Sequence, residues 1–323
     1  MKKTTIAFLI VAAALCGTER PDGWAQVYPT RPVRMIVPFP PGGGTDILAR
    51  IVSQKLSESL GQQVIIDNRP GAATNIGMEL AARAVPDGYT LLMASIGVAA
   101  NPSLYLKMRF DPLRDLAPVT LVAMAPTVLA VHPSVPARTV KQFVSMVKAK
   151  PGKLNYGSYG GGSGAHLAAE LFKVTTGLDI VHVPYKGGGP AITALMSGEV
   201  QMVFSSMLPV MSHLKSGRLV AIAIAADKRA ASLPEVPTFR ESGINYKTGT
   251  WFGVLVPSGT SQTIITRLHA EITRILNLPD VQQRIARDGA DPVGNTPAEF
   301  QAFIKSEAAK LAEVVRVSKI TVN

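Results

Sequence analysis

Short apolar runs alternate with helical patterns along most of this chain, and this alternation constrains its fold more than any other feature. Each run is four to seven residues long and ends at a turn that contains glycine or proline. The segment after the turn places its apolar residues at helical spacing. Strands that alternate with helices in this way form parallel sheets covered by helices on both faces. The sequence therefore predicts an α/β protein.

The same pattern gives a prediction for each element. Strands are expected at residues 33–39, 64–67, 90–95, 154–157, 180–183, 200–204 and 219–225. Helices are expected from Thr45 or Asp46 to Gly61 and at residues 78–85, 140–149, 163–176, 191–196, 210–214, 264–276, 281–288 and 298–317. Gly61 marks the end of the first helix because glycine readily adopts the left-handed conformation that closes a helix.

Two apolar segments do not fit one such sheet. Residues 119–131 form a long, nearly uncharged run that contains Pro126, and residues 251–256 form an apolar strand after a long polar loop. We interpret these segments as the places where the chain crosses to a second domain and returns, with a cleft between the domains. The predicted division is residues 27–125 with 255–323 as domain 1, and residues 126–254 as domain 2.

The N-terminus has the features of an export signal. A basic start is followed by an apolar run at residues 6–15 and then by the small residues Gly23 and Ala25. This order matches the three regions of a secretory signal that is cleaved after Ala25. The apolar run is about half the roughly 20 residues that a membrane-spanning helix needs. We therefore predict a signal peptide at residues 1–25 and a periplasmic mature chain.

Composition and charge exclude several classes of function. The only cysteine, Cys16, lies in the predicted signal, so the mature chain has no disulfide, zinc finger or redox pair. The 33 basic and 22 acidic residues give a net charge of +11, which favours acidic small molecules or anionic surfaces as partners. The basic residues are scattered and aromatic residues make up only 6%, so we expect no nucleic-acid partner. The five histidines lack metal-binding spacing, and we expect neither a metal nor a cofactor.

Two glycine-rich loops, at residues 38–46 and 157–166, each follow a predicted strand and precede a predicted helix. Glycine lets a ligand approach the backbone, and the unpaired N–H groups of a first helical turn attract anions. A third glycine loop follows Tyr185 and Lys186, where Lys186 is either a solvated surface lysine or part of a wall of the cleft. The predicted binding residues are Phe39, Gly42, Gly43, Gly44, Thr45, Asp46, Ser95, Ser158, Tyr159, Gly160, Gly161, Gly162, Ser163, His166, Tyr185 and Lys186.

Two more of these residues have two interpretations each. His166 lies in the first turn of a predicted helix, where it either contacts the anion or packs the loop. Asp46 carries the wrong charge for an anion site. At a helix start it either caps backbone amides or accepts a hydrogen bond from a ligand amine or a bridging water.

The second loop also supports a different class of function. Neither loop has the spacing of a P-loop or of the dinucleotide-binding fingerprint. Residues 161–165, Gly-Gly-Ser-Gly-Ala, nearly match the G-x-S-x-G turn of serine hydrolases and lie between a strand and a helix. Such an enzyme would use Ser163 with Asp227 or Glu235 and then His269, in that order. A secreted α/β serine hydrolase is the alternative function.

Several short motifs follow one another along the whole mature chain. They are Pro38-Phe39 with Pro41-Gly42-Gly43 and Asp46, Asn68-Arg69-Pro70-Gly71-Ala72, Pro86-Asp87-Gly88-Tyr89-Thr90, Gly157-Ser158, His166-Leu167, His182-Val183-Pro184-Tyr185-Lys186-Gly187, Gly217-Arg218-Leu219 and Leu233-Pro234-Glu235-Val236-Pro237-Thr238. In combination they resemble the substrate-binding proteins of tripartite tricarboxylate transporters, also called the Bug family.

The resemblance implies a two-domain, periplasmic-binding-protein-like fold that closes on a small organic carboxylate. In the family, the first loop and residues 158–163 hold the carboxylate, partly through ordered water. The ligand is then delivered to the permease subunits of a tripartite tricarboxylate transporter. We expect no enzyme activity, a monomer, and hinges near residues 125–127 and 250–252.

This chain departs from the family pattern at a few positions. It has Tyr159 and three glycines where the family commonly has an Ala-Gly-Asn type of loop, and Ala194 and Gln201 stand where acids are common. These departures concern the identity of the ligand more than the fold. Dicarboxylates, tricarboxylates, aromatic acids, amino acids and nicotinic-acid-like compounds all satisfy the prediction.

Overall fold

The computed structural model describes residues 28–105, 107–320 and 322, so the predicted signal peptide lies outside the described residues. The strands are β1 (Val33–Val37), β2 (Val64–Asn68), β3 (Thr90–Ser95), β4 (Leu116–Val131), β5 (Asn155–Ser158), β6 (Val181–Pro184), β7 (Met202–Ser206), β8 (Val220–Ile224), β9 (Gly249–Pro257) and β10 (Asp291–Pro292). The helices are α1 (Gly44–Leu60), α2 (Asn75–Ala82), α3 (Gly97–Leu104), α4 (Val140–Ala149), α5 (Gly164–Thr176), α6 (Gly188–Ser197), α7 (Met211–Lys215), α8 (Gln262–Leu276), α9 (Pro279–Arg287) and α10 (Pro297–Ser318). None of the helices within these described ranges is long and apolar enough to cross a membrane.

The strands form a continuous sheet in the order β2-β1-β3-β9-β4-β7-β5-β6. Strand β1 pairs in parallel with β2 and β3, and β5 pairs in parallel with β6 and β7. The central strands are antiparallel: β9 pairs with β3 and β4, and β4 also pairs with β7, β8 and β10. The α/β prediction is confirmed, with parallel strands towards both ends of the sheet and antiparallel strands joining them.

Strand β4 belongs to both ends of this sheet. Residues 116–126 pair with β9, and residues 127–131 pair with β7 and β8. The apolar run around Pro126 is therefore one long strand, and Pro126 stands at the last pairing position with β9. We call the part built on β1, β2, β3, β9 and β10 the first half, and the part built on β5, β6, β7 and β8 the second half.

Helices cover both faces of each half. On the first half, α1 and α8 pack against one face through residues such as Leu48 and Leu268, and α2, α3 and α10 pack against the other through Met78 and Phe300. On the second half, α4 and α5 surround a core centred on Phe172, and α6 and α7 cover the opposite face. Full burial of a large apolar side chain stabilises the folded chain by about 1.5–3 kcal/mol relative to leaving it exposed. Each half therefore has its own apolar cores, which hold the loops between strands and helices in place.

Three helices near the candidate site differ from the prediction. Helix α3 was missed because it is almost entirely buried and contains Pro102, so it has neither an amphipathic pattern nor an uninterrupted helical sequence. Helix α6 begins at Gly188 rather than at residue 191, because the loop glycines and Pro190 form its first turn. Helix α2 begins at Asn75 rather than at residue 78.

Candidate functional site

A cavity lies between the two halves, where the loops that follow β1, β3, β5 and β6 meet. It consists of two adjoining pockets of about 40 Å³ and about 440 Å³, which we call the inner and the outer compartment. The outer volume falls within the range of small-molecule sites, about 300–1,000 Å³. Both compartments are lined by Phe39, Ile96, Tyr159, Ser163 and Gly164.

The two compartments differ in chemistry. The inner compartment is lined by several hydroxyl groups, those of Thr45, Ser95, Thr127, Ser163, Ser206 and Thr250. The outer compartment is lined largely by proline, glycine, alanine and aromatic residues. Among the described lining residues no carboxylate occurs, and Lys186, which is exposed, carries the single formal charge.

Four helices begin at this cavity. Their first residues, Gly44 of α1, Gly97 of α3, Gly164 of α5 and Gly188 of α6, are all lining residues. The N-cap residues of α1, α3 and α6 make no side-chain capping bond. First-turn N–H groups have no partner within their own helix, and each N-terminus carries a partial positive charge. The cavity is therefore suited to an anion without an arginine or lysine at its centre.

The first glycine loop turns its acidic residue away from the cavity. Asp46 is 3% exposed and accepts hydrogen bonds from the Gly42 N–H at 3.1 Å, the Asn68 Nδ2 at 3.0 Å and the Arg50 Nε at 2.9 Å. Burial alone would raise the pKa of the Asp46 carboxyl, but these hydrogen bonds hold it below its usual range. Asp46 thus shapes the loop and forms an ion pair with Arg50.

Two histidines fix the second glycine loop through hydrogen bonds. The Gly162 N–H donates to His166 Nδ1 at 3.0 Å, and the His166 N–H donates to Ser163 Oγ at 3.4 Å. His182 Nε2 lies 2.6 Å from Ser158 Oγ. The two imidazole rings stack with their centroids 4.0 Å apart. Ser158 and His166 therefore hold the loop in place without lining the cavity themselves.

Because the stacked histidines His166 and His182 have lowered pKa values, we expect the folded chain to lose stability in mild acid. Burial and the neighbouring His166 ring lower the pKa of His182 to about 4, and burial lowers the pKa of His166. The unfolded chain takes up protons below its ordinary histidine pKa of about 6.5, whereas the folded chain does not. The free energy of unfolding should therefore fall by roughly 2–3 kcal/mol between about pH 6.5 and pH 4. Urea titrations across this range should show a shallower fall for His182→Phe, and an unchanged fall would contradict the assignment.

Aromatic side chains and a third loop close the cavity between the halves. The Tyr159 hydroxyl hydrogen-bonds to Ser205, whose own hydroxyl donates to the Ser206 carbonyl at 2.6 Å. Burial raises the pKa of Tyr159, so the phenol stays neutral. A Cβ atom built on Gly188 would lie 3.5 Å from the Gly43 Cα. The first and third glycine loops are therefore nearly in backbone contact.

The structure brings most of the predicted binding residues together around the cavity. Those that line it are Phe39, Gly43, Gly44, Thr45, Ser95, Tyr159, Gly160, Gly162, Ser163, Tyr185 and Lys186. Five predicted residues, Gly42, Asp46, Ser158, Gly161 and His166, are outside this lining. Gly42, Asp46, Ser158 and His166 instead take part in the loop hydrogen bonds described above.

Sequence reasoning missed two groups of lining residues. Thr127, Phe204, Ser206, Thr250 and Phe252 lie on β4, β7 and β9 and form the floor of the inner compartment. They carry no local motif, and only the pairing of distant strands brings them together. The second group, residues 70–74, follows β2 and lines the outer compartment. The turn after β2 was visible in the sequence, and it could have indicated that residues 70–74 form part of the site.

The second missed group has an unusual backbone. Ala72, Ala73 and Thr74 have φ angles of 46°, 48° and 79°, which lie in the left-handed region. A residue with a side chain pays about 1–2 kcal/mol in this conformation. Three such residues in succession require surroundings that hold them in place.

The described residues do not form the serine–histidine–acid arrangement that the hydrolase alternative requires. The Ser163 hydroxyl caps α5, and the nearby His166 uses Nδ1 to accept from the Gly162 N–H. His269, the proposed base, lies on α8 with its Nε2 3.1 Å from the Asn295 carbonyl oxygen. Asp227 is ion-paired with Lys247. Within residues 28–105, 107–320 and 322, no group of three or more His, Cys, Asp or Glu side chains could hold a metal ion.

Comparisons with known proteins give a consistent result. The model of the tripartite tricarboxylate transporter family receptor matches residues 48–320. Protein BugT of Bordetella pertussis is 39% identical over 318 residues, covering 96% of each chain. The structure of R. palustris Rpa4515 with adipate is 35% identical with a TM-score of 0.89, covering 91% of this chain and 99% of that one. The structure of MatC from Rhodopseudomonas palustris with bound malate is 32% identical with a TM-score of 0.85, covering 89% and 100%.

Proposed function

Because this chain belongs to the tripartite tricarboxylate transporter family of periplasmic solute receptors, we propose that it binds a small organic carboxylate in the cavity between its two halves. The family consists of solute receptors and not of enzymes, so the serine hydrolase hypothesis is set aside. The relatives solved with adipate and with malate support a carboxylate as the ligand class.

The meeting of four helix N-termini at the cavity is the strongest support for this proposal. The N-termini of α1, α3, α5 and α6 meet at one cavity whose described lining has no carboxylate. A carboxylate in the inner compartment could accept hydrogen bonds from backbone N–H groups and hydroxyls of both halves. The apolar outer compartment would then enclose the remainder of the ligand.

A screen of acids against their amides tests the ligand class. Adipate, malate, citrate, benzoate and nicotinate are compared with the corresponding amides by thermal shift, and positive compounds are titrated by calorimetry. A bound acid at a hundred times its Kd should stabilise the fold by about 2.7 kcal/mol. We expect at least one acid to bind and its amide to bind far more weakly. Equal binding of an acid and its amide would contradict an anion site.

Replacing Ser163 measures the contribution of its hydroxyl. This side chain lines both compartments and also caps α5. We expect Ser163→Ala to weaken binding of the acid found in the screen by roughly 1–3 kcal/mol, through loss of a donor to a charged group. Calorimetry gives the change in Kd. Unchanged affinity, or serine-dependent ester hydrolysis by the wild-type chain, would contradict a purely ligand-binding role.

We further propose that the chain forms two domains, residues 27–125 with 255–323 and residues 126–254, which close on the ligand. Hinges near residues 125–127 and 250–252 would lie where β4 leaves β9 and pairs with β7. A ligand held from both sides stabilises the closed arrangement through its additional contacts there. Small-angle scattering should show a smaller radius of gyration on saturation. An unchanged radius would favour a rigid, preformed cavity.

Export and delivery complete the proposed role. A signal peptide at residues 1–25 would direct the chain to the periplasm, where it would pass its ligand to the permease subunits of a tripartite tricarboxylate transporter. N-terminal sequencing of the chain recovered from a periplasmic extract should begin at Gln26. A chain that retains residues 1–25 would contradict cleavage.

A further inference from the structure

The left-handed segment, Ala72–Thr74, forms part of the outer compartment wall. Side chains disfavour this conformation, so the segment adopts it only where neighbouring groups hold it. Its position makes the conformation relevant to the ligand. The Ala73 Cβ lies 3.9 Å from the place that a Cβ on Gly162 would occupy, so this wall reaches the glycine loop of the second half.

One buried side chain holds this segment on both sides of Thr74. Asn101 of α3 is completely buried. Its Nδ2 group donates to the Ala73 carbonyl at 2.8 Å and to the Asn75 Oδ1 at 2.7 Å. The Thr74 hydroxyl lies 3.5 Å from the same nitrogen. A single amide group therefore fixes the end of the left-handed segment to the start of α2.

The amide oxygen of Asn101 is less favourably placed than its Nδ2 group. Its Oδ1 is buried and has no hydrogen-bond partner among the described residues. A buried acceptor without a partner is unfavourable, and an apolar side chain would serve the packing of α3 better. An apolar side chain in α3 would not provide the Nδ2 bonds to the Ala73 carbonyl and to the Asn75 side chain.

We propose that Asn101 is a positioning residue for ligand binding, which holds Ala72–Thr74 in the left-handed form that shapes the outer compartment. This inference rests on the proposed function. Asn101 does not line the cavity itself and acts through the backbone of the segment. Without its two donor bonds, the segment is expected to relax towards the right-handed conformations that alanine and threonine favour.

The first test compares two asparagine variants. Adipate and malate are titrated by calorimetry into the wild type, Asn101→Ala and the control Asn277→Ala, which removes an exposed asparagine at the end of α8. We expect Kd to rise at least about tenfold for Asn101→Ala and less than about twofold for Asn277→Ala. Asn101→Asp keeps the side-chain volume and replaces the NH2 group by an oxygen atom that carries at most one proton, so it removes at least one of the two donor bonds without creating a cavity. Unchanged affinity in either Asn101 variant would overturn the proposal.

The second test asks whether the backbone conformation is responsible. Ala72→Gly and Ala73→Gly are introduced together, in the wild type and in Asn101→Ala. Glycine adopts left-handed angles without a steric cost, so it needs the anchor less. In the glycine background, the rise in Kd caused by Asn101→Ala should shrink to less than about threefold. A rise in Kd of the same size in both backgrounds would overturn the proposal.

Hydrogen exchange separates this proposal from the proposed function. In the ligand-free chain, amide exchange at residues 71–76 should be faster in Asn101→Ala than in the wild type and unaltered in Asn277→Ala. If the wild type binds neither acid, the proposed function fails for these two probes, and exchange decides on the anchor. Faster exchange confined to residues 71–76 then supports Asn101 as the anchor, and unchanged exchange overturns it.

Discussion

Gly43→Leu is expected to abolish carboxylate binding while the fold is retained. Gly43 lines the inner compartment, and a Cβ atom placed on it meets nothing within 4 Å. Its backbone angles, φ −82° and ψ 167°, are accessible to leucine, so the substitution introduces no backbone strain. The new side chain would fill a compartment of about 40 Å³ and cover the start of α1. We expect Kd to rise by more than about a hundredfold.

Calorimetry with the acid identified in the amide-paired screen measures this loss. Ala149→Leu is a matched control, because it adds the same side chain at an exposed position at the end of α4, outside the cavity lining. Circular dichroism and urea titration check that both variants fold. Binding by Gly43→Leu within about tenfold of the wild type would place the ligand elsewhere.

Gly253→Ala is expected to destabilise the chain by roughly 2–3 kcal/mol. Gly253 lies on β9, and a Cβ atom there would be 2.2 Å from the Phe300 Cζ and 3.0 Å from the Thr120 carbonyl oxygen. Phe300 is completely buried and packs against Trp251. The ring therefore cannot move without disturbing the core between β9 and α10. At an unhindered position, the same substitution would stabilise the chain by about 0.4–1 kcal/mol.

A second substitution shows whether the contact with Phe300 is responsible. Phe300→Leu removes the ring atoms nearest to Gly253, so the cost of Gly253→Ala should be smaller in that background. Urea denaturation of the four chains gives the coupling between the two sites. Equal costs of Gly253→Ala in both backgrounds would contradict the packing described here.

The parts of the site that follow from local sequence were predictable. The loops that contain Gly43, Ser163 and Lys186 each follow a strand, and the ends of neighbouring strands meet at one edge of a sheet. Their glycines also marked them as places of close approach. The family resemblance, which the comparisons confirm, rests partly on the same loops and partly on motifs elsewhere in the chain.

The parts that depend on distant pairing were not predictable. Thr127 and Thr250 meet at the cavity floor because β4 and β9 pair over most of their length. The stacking of His166 on His182 depends on the pairing of β5 with β6 and on the position of α5. Asp46 turns away from the cavity because Arg50 and Asn68 bind its carboxylate. The contacts of Thr127, Thr250, His182 and Asn68 have no signal in the neighbouring residues, whereas Arg50 stands four residues after Asp46 on α1 and was visible in the sequence.

A crystal structure of the mature chain with the acid identified in the screen would show directly where the carboxylate binds. We expect the carboxylate in the inner compartment. Its oxygen atoms should accept hydrogen bonds, directly or through one water, from the first-turn N–H groups of α1 and α5 or from the Ser163 hydroxyl. A carboxylate bound outside the cavity, or held by surface arginine and lysine side chains away from these helix N-termini, would contradict the proposed binding site.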